Sequence, residues 1–273
     1  MASFKERIME PNKNALIVDG MNLAFRWKHQ GRSDFRYEYI KTVQSLADSY
    51  KCSQILIASD KGASSYRRGI RPDYKQNRKD KYKDQTQEEK IAFEEFFEEY
   101  HATLDTIEWP VLHFDGVEAD DIAAHLVKNK RAYGFANMWL VSSDRDWDLL
   151  IKEGVSRFSY VTRKEVTVDN WNEHYDVTRE EFISLKCLTG DKGDNVPGIP
   201  GIGPKRALTL IREYGDAFSI YDAAPIPGKY KYIESLNENY EQILQNYELM
   251  DLVTYCDDAI GEQNIAEIKD NFI

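Results

Sequence analysis

Three short, nearly continuous apolar runs, each leading to an aspartate, constrain the fold more than any other feature of the sequence. They read ALIVDG at 15–20, QILIASDKG at 54–62 and MWLVSSDRD at 138–146, and VLHFDG at 111–116 is a weaker fourth. Runs without polar alternation are typical of parallel strands covered on both faces. Helical patterns, with apolar residues on one face, lie between them at 39–49 and 119–129. We therefore predict an α/β fold with a largely parallel central sheet and helices on both faces.

The aspartates at the ends of these runs, Asp19, Asp60 and Asp144, predict the location of a site. In open α/β sheets, ligands bind beyond the carboxyl ends of the strands. Further acids occur at helix starts and in short pairs: Glu118, Asp120, Asp121, Asp146, Asp191 and Asp194. An acid in a first turn also favours the helix dipole, and this simpler explanation stays open for Glu118 or Asp194 taken singly.

The nine acids together point to divalent cations. Carboxylates crowded at one sheet edge repel one another unless cations neutralise them. Two divalent ions about 4 Å apart, held by shared carboxylates, support in-line phosphoryl displacement. Asp191 and Asp194 are expected on one side of a single helical turn. The three dispersed cysteines and five histidines show no ligand spacing, which favours oxygen ligands and Mg²⁺ or Mn²⁺ over zinc. Part of the formal net charge of −11 then belongs to this site.

A basic segment interrupts the α/β pattern at 66–84, YRRGIRPDYKQNRKDKYKD, with eight Lys and Arg and three Tyr. Directly after it, Thr86 and Glu89 form a capping box that opens a helix. A connection this long inside a compact domain is usually functional. A solvated run of charges is the alternative.

A glycine-rich turn with two cations follows at 198–207, GIPGIGPKRA. Gly201 and Gly203 permit close backbone approach to an anion, and the helix that begins near Pro204 aims free N–H groups at it. With Lys205 and Arg206, the pattern matches a helix–hairpin–helix that grips a DNA backbone without reading its sequence. A joint that merely needs glycine is the alternative.

Together these patterns resemble the flap endonuclease or 5′-nuclease family over nearly the whole chain. The matching blocks run from LIVDGMNLAFR through SDKGASSYRR, PDYKQNR, GVEADDIAA and VSSDRDWDLL to GDKGDNVPGIPGIGPKRA and PGKYKYI. The chain is most similar to bacteriophage 5′→3′ exonucleases, and more distantly to the 5′-nuclease domain of bacterial DNA polymerase I. The resemblance implies a nuclease core at 1–185 with a helical arch at about 66–108. It also implies a helical region at 186–273, with an H3TH-type helix–hairpin–helix at about 190–215.

The resemblance implies roles for individual residues as well. The nine acids would ligate two or more Mg²⁺ ions, with Mn²⁺ as a substitute. Lys75 and Arg78, at the foot of the arch, would be catalytic through contact with the scissile phosphate. The implied DNA-binding residues are Tyr74, Lys186, Gly201, Gly203, Lys205 and Arg206, with a potassium ion at the hairpin carbonyls. For Tyr74, stacking on a base and simple packing are equal alternatives.

The implied function is a structure-specific 5′ nuclease, both flap endonuclease and 5′→3′ exonuclease, in phage DNA replication. It would hydrolyse DNA phosphodiesters with a water activated by the divalent metal. Its partner would be DNA with 5′ single-stranded flaps or ends, and the protein is expected to be monomeric. The alternatives are a ribonuclease of related fold acting on RNA/DNA hybrids and a catalytically inactive DNA-binding scaffold. The acids disfavour the scaffold, because a pure binder gains nothing by placing carboxylates near phosphates.

Dispersed cysteines are typical of a reducing compartment. The first residues, MASFKERIMEPNKN, lack the apolar stretch of a signal peptide, and no apolar run reaches the length of a membrane span. We therefore expect a cytoplasmic protein without a membrane partner, located in the host bacterial cytoplasm if it is a phage protein.

Overall fold

A six-stranded sheet forms the centre of the structure, a computed structural model that describes residues 13–272. Its strands are β1 Lys13–Asp19, β2 Gln54–Ala58, β3 Val111–Leu112, β4 Phe135–Val141, β5 Val155–Ser159 and β6 Lys164–Val166. They lie in the order β3-β2-β1-β4-β5-β6, and every neighbouring pair is parallel except β5 and β6. Residues 1–12, where the sequence shows no signal-peptide pattern, and residue 273 lie outside the described residues.

Helices connect the strands and make up the rest of the chain. In the first part they are α1 Gly20–Lys28, α2 Arg36–Ser49, α3 Ser65–Ile70, α4 Gln76–Lys83, α5 Gln87–Thr106 and α6 Ala119–Lys128. After β6 come α7 Arg179–Thr189, α8 Pro204–Tyr214, α9 Ala217–Ala223, α10 Lys231–Asn239, α11 Glu241–Met250, α12 Leu252–Ile260 and α13 Glu262–Asp270. Short 3₁₀ helices span Arg145–Leu150 and Trp171–Glu173. Among residues 13–272, no helix combines the length and the apolar character needed to cross a membrane.

The central strands are buried on both faces, which explains their unbroken apolar runs. In β1, Ala15 and Ile17 pack into one core with α6 and α12. Leu16 and Val18 pack into a second core with α1, α2 and α5. The predicted α/β fold, largely parallel with helices on both faces, is confirmed.

The last two helices return to the sheet instead of staying with the other C-terminal helices. Leu252, Cys256 and Ile260 of α12 and Ile268 of α13 belong to the core that covers one face of the sheet. Helices α8 to α11 pack around a separate apolar cluster. The expected boundary between residues 185 and 186 falls inside α7, and the segment from Leu252 onward packs on the first part.

The connection between β2 and β3 is a helical insertion made of α3, α4 and α5. Its capping box forms: the Thr86 N–H donates to Glu89 Oε2 at 2.8 Å, and the Glu89 N–H donates to Thr86 Oγ1 at 3.2 Å. Helix α5 returns to the core through Phe96 and Tyr100, both fully buried. The segment predicted as an arch is therefore anchored at its carboxyl end by apolar packing.

The prediction of a helical turn across Asp191 and Asp194 is wrong. Helix α7 ends at Thr189, and the chain forms a two-stranded antiparallel ribbon of β7 Gly190–Asp191 and β8 Val196–Pro197. Gly190 causes the break, because its φ of 71° and ψ of −175° suit essentially only glycine. The ribbon turn is closed by Asp191 Oδ1, which accepts from the Gly193 N–H at 2.7 Å.

We expect Gly190→Ala to lower the free energy of unfolding by about 3 kcal/mol or more, because backbone strain and overpacking add. A Cβ at Gly190 would lie 2.2 Å from the Gly198 nitrogen and 2.4 Å from the Val196 oxygen, both backbone atoms. Gly261, with φ 83° and ψ 151°, has a similar backbone, but a Cβ there would meet nothing within 4 Å. Gly261→Ala should therefore cost only about 1–2 kcal/mol. Urea unfolding checks both, and equal losses would contradict the steric argument.

Candidate active site

The carboxyl ends of β1, β2 and β4 bring three aspartates to one edge of the sheet. Asp19 Oδ2 accepts from Ser142 Oγ at 2.7 Å. Asp60 Oδ1 accepts from the Ala119 N–H, at the start of α6, at 2.6 Å. Asp144, which follows β4, accepts from the N–H of Asp146 at 2.9 Å. These contacts orient the carboxylates toward one region.

The carboxylates in this region repel one another. Burial raises the pKa of Asp19 to about 8, and the nearby charges of Asp60 and Asp144 act in the same direction. Burial likewise raises the pKa of Asp60, to which the charge of Glu118 adds. Burial also raises the pKa of Asp120, and the charges of Asp144 and Asp60 contribute. The cluster holds more negative charge than its surroundings stabilise, so a bound cation would relieve it.

Glu118 sits at the meeting point of the acids and the basic insertion. Lys75 Nζ donates to Glu118 Oε1 at 2.9 Å, and Arg67 Nη1 donates to Oε2 at 3.2 Å. Burial acts to raise the pKa of Glu118, but Lys75 and Arg67 outweigh it and lower the pKa overall. Lys75 itself has a left-handed φ of 54°, and its N–H donates to the Asp194 carbonyl at 2.9 Å. This lysine is thus fixed at the acidic cluster through both backbone and side chain.

Asp121 is held by a residue that the sequence analysis did not single out. Arg67 donates from Nη1 to Asp121 Oδ2 at 2.7 Å and from Nη2 to Oδ1 at 2.8 Å. The side chains of Arg67 and Asp121 are 3% and 1% exposed. Arg67 Nε also donates to the Leu249 carbonyl at 2.8 Å. The sequence offers one weak signal for Arg67, its place in the basic segment.

The acids on the ribbon and after β4 form a second group. Lys186 Nζ donates to Asp191 Oδ2 at 3.1 Å and also contacts Asp146 Oδ1. Burial acts to raise the pKa of Asp191, but Lys186 outweighs it and lowers the pKa. Asp194 pairs instead with the insertion, since Arg78 Nη2 donates to its Oδ1 at 2.6 Å.

Two residues expected to contact DNA lie inside the site. Tyr74 is 3% exposed, and its hydroxyl lies 2.9 Å from Asp194 Oδ2 and 3.2 Å from Glu118 Oε2. The geometry therefore favours the packing alternative for Tyr74, because no face of its ring is open to a base in this conformation. Lys186, bridging Asp146 and Asp191, is also more a partner of the acids than a surface cation.

The glycine-rich turn lies at the start of α8. Gly201, Gly203, Lys205 and Arg206 are all exposed. Arg206 Nη1 donates to the Gly201 carbonyl at 2.6 Å, and its guanidinium lies 4.8 Å from the ring centre of Tyr232. The turn thus presents two cations and the free N–H groups of a helix start to solvent.

The donor set fits divalent cations that prefer oxygen ligands. Within residues 13–272, no three or more His, Cys, Asp or Glu side chains are already arranged as a metal site. Protein donors occupy several of the carboxylates instead, including Trp147 Nε1, which donates to Asp120 Oδ1 at 2.6 Å. The group of Asp19, Asp60 and Asp144, with only oxygen donors and excess negative charge, suits Mg²⁺ or Mn²⁺.

Two family models cover the chain. The model of the 5′-3′ exonuclease N-terminal resolvase-like domain matches residues 14–177, and that of the 5′-3′ exonuclease C-terminal SAM fold matches residues 177–270. The change of model at residue 177 lies just before α7.

Individual relatives agree with the family models. The flap endonuclease of Escherichia phage T5 is 44% identical over 261 residues, which cover 94% of this chain and 89% of that one. DNA polymerase I of Bacillus subtilis is 27% identical over 96% of this chain, which spans 30% of the polymerase. A bacteriophage T5 flap endonuclease structure, a pseudo-enzyme–product complex with DNA and metal ions, is 43% identical with a TM-score of 0.89, covering 95% of this chain and 98% of that one. A structure of T5 5′-exonuclease with bound zinc ions is 44% identical with a TM-score of 0.89. It also covers 95% of this chain and 98% of that one.

Proposed function

Since the chain belongs to the 5′-3′ exonuclease family, we propose that it is a structure-specific 5′ nuclease that hydrolyses DNA at 5′ flaps and 5′ ends. It uses divalent cations, Mg²⁺ in the first place, and acts in phage DNA replication. The observation that carries the proposal is the direct contact between the acidic cluster and the basic insertion, where Lys75 meets Glu118 and Arg78 meets Asp194. A site that must hold metal cations and a polyanion together needs both signs of charge.

In this proposal the nine acids hold two or more cations, directly or through water: Asp19, Asp60, Glu118, Asp120, Asp121, Asp144, Asp146, Asp191 and Asp194. Bound cations supply Lewis-acid stabilisation of the phosphate and activation of the attacking water. Asp121 is the least available of the nine to a cation, because Arg67 donates to both of its oxygens and also to Glu118 beside it. Asp146 and Asp191 are kept together by Lys186.

The cations of the insertion orient the scissile phosphate and oppose the charge that builds on it. Lys75, held between Glu118 and the Asp194 carbonyl, binds a phosphate oxygen. Arg78 is more exposed and offers its remaining N–H groups to the same phosphate. Preorganised donors of this kind need little rearrangement in the transition state. Helices α3, α4 and α5 form the arch at which the 5′ single strand enters.

The glycine-rich turn holds the duplex through its backbone. Lys205, Arg206 and the first N–H groups of α8 bind phosphates without reading bases, and Gly201 and Gly203 allow close approach. A potassium ion at the hairpin carbonyls competes with Arg206, whose Nη1 already occupies the Gly201 carbonyl. We further propose a monomer that works in the host cytoplasm, organised as a nuclease core and a helical DNA-binding region.

A labelled flap duplex tests the function. We expect Mg²⁺-dependent release of short 5′ fragments cut near the junction, no product with EDTA, and recovery when excess Mg²⁺ or Mn²⁺ is added. Product sizes on a denaturing gel are the measurement. Tight binding without cleavage in either metal would favour the inactive scaffold.

An RNA flap of the same sequence separates the proposed enzyme from a ribonuclease of related fold. The DNA flap is expected to be cut faster at equal concentration. Preferential cutting of the RNA flap would reassign the substrate while leaving the metal chemistry in place.

A further inference from the structure

A cavity region lies beside the acidic cluster, lined by Asp146 and Asp191 and not by Lys75 or Arg78. Two adjoining cavities of about 440 and 340 Å³ share Arg145, His174 and Tyr175. The larger one reaches Asp146, Lys186 and the first turns of α8, and the smaller one reaches Lys164. The cavities thus connect the acidic cluster and the hairpin helix with the loop between β5 and β6.

Arg145 stands between these cavities in a fixed orientation. Its Nε donates to the Tyr175 hydroxyl at 3.2 Å, and its guanidinium carbon lies 4.7 Å from the centre of the Tyr175 ring. Tyr175 is anchored in turn, because its hydroxyl donates to Asp148, a buried carboxylate that accepts from Arg157 Nε at 2.5 Å and Nη2 at 2.7 Å. This buried chain of contacts keeps the exposed guanidinium in place.

The terminal guanidinium nitrogens of Arg145 are available to a ligand. Within residues 13–272, its two terminal nitrogens have no hydrogen-bond partner and no carboxylate within ion-pair distance. It lies between Asp144 and Asp146 in sequence, yet it contacts Tyr175 rather than either acid. A guanidinium with both terminal nitrogens free matches the paired oxygens of a phosphodiester. Lys164, also exposed and without an ion pair in the described residues, lines the same cavity.

We propose that Arg145, with Lys164 and His174 beside it, binds a phosphodiester of the duplex part of the DNA. The proposal rests on the proposed function and adds a further phosphate contact to it. The duplex is the expected source because the larger cavity reaches Pro204 and Leu208 of the hairpin helix, whereas the arch cations pair with Glu118 and Asp194, which line neither cavity.

Four acids also line the cavities. Asp146 and Asp191 pair with Lys186, whereas Glu173 and Asp176 are exposed. Because the latter two are solvated, salt screens their repulsion of a phosphate. A phosphodiester at the fixed guanidinium also gains two charge-assisted hydrogen bonds, to which the exposed acids have no counterpart. Arg145 is therefore expected to carry most of the binding in this region.

Equilibrium binding without metal tests the proposal. Wild type, Arg145→Gln and Arg145→Lys are compared by fluorescence anisotropy in EDTA, over a series of KCl concentrations. The probes are a blunt DNA duplex and a single-stranded oligonucleotide of one of its strands. We expect Arg145→Gln to raise the Kd for the duplex about fivefold to tenfold and to lower the slope of log Kd against log salt by about one. Arg145→Lys should retain most of the slope, and the single strand should be affected less than about twofold.

Lys269→Gln is the matched control, since it removes one exposed positive charge on α13, which packs at a face of the sheet. Thermal unfolding confirms that each variant is folded. The proposal would be overturned if Arg145→Gln and Lys269→Gln had the same Kd for the duplex and the same salt slope. A reduced cleavage rate at saturating DNA with unchanged binding would also overturn it, because Arg145 would then act in the reaction. Flap cleavage by the wild-type protein tests the proposed nuclease function separately. A failure of the Arg145 proposal can therefore be told apart from a failure of the proposed function.

Discussion

Replacing Lys75 by alanine is expected to lower the single-turnover rate of flap cleavage by about 10²–10³-fold, the usual effect of removing one preorganised donor to transition-state charge. Affinity for the same DNA, measured in EDTA, should change less than about threefold, because many phosphate contacts share the binding. The reason for this split is the position of the ammonium group. It is 10% exposed and lies 2.9 Å from Glu118, so it can serve a phosphate held at the acids but adds little to a general cationic surface.

Lys79→Ala is the control for this experiment, since Lys79 is an exposed lysine on α4 of the same insertion. It should change rate and affinity only slightly. Lys75→Arg keeps the charge and should recover part of the rate. Equal losses of rate and affinity in Lys75→Ala would reduce Lys75 to one phosphate contact among several.

Replacing Arg67 by methionine is expected to lower the free energy of unfolding by about 3–5 kcal/mol, because it leaves a buried carboxylate without its partner. Asp121 would lose both hydrogen bonds, and Glu118 would lose one. The Leu249 carbonyl would also lose the donor that ties α3 to the end of α11. Urea unfolding, monitored by circular dichroism, measures the loss.

The double variant Arg67→Met, Asp121→Leu is the control, because it removes both buried charges. It should recover part of the lost stability, since apolar replacements of a buried ion pair cost less than an unpaired charge. If Arg67→Met alone lowered the free energy of unfolding by less than about 1 kcal/mol, the argument would be contradicted. Asp121 would then be solvated or protonated and would need no partner.

The sheet was predictable because its strands obey a local rule. Burial on both faces requires the central positions of β1, residues 15–18, to be apolar, so the run is visible without knowledge of the partners. The placement of Asp19, Asp60 and Asp144 follows from the same rule, since parallel strands end at one edge. The capping box at Thr86 is equally local, because its two hydrogen bonds join residues three apart.

The remaining features depend on contacts between distant parts of the chain. The spacing of Asp191 and Asp194 suits a helix, but Gly190 packs its backbone so closely on Gly198 that a ribbon forms instead. Arg67 is indistinguishable from its basic neighbours until α3 is placed against α6 and α11. Tyr74 is likewise one of three tyrosines in a charged segment, and only the fold shows that its hydroxyl lies between Glu118 and Asp194.

The return of α12 and α13 to the sheet has a consequence for the synthesis of the protein. Ala15 and Ile17, among the first residues of the core, share an apolar cluster with Ile260 and Ile268. While the chain is being translated, the face of β1 that carries Ala15 and Ile17 stays incompletely covered until residue 268 has left the ribosome. Because the same strand ends in Asp19, we expect the acidic edge of the sheet to gain its final rigidity at that late step. A growing chain would then hold its carboxylates in place only once residue 268 has been made.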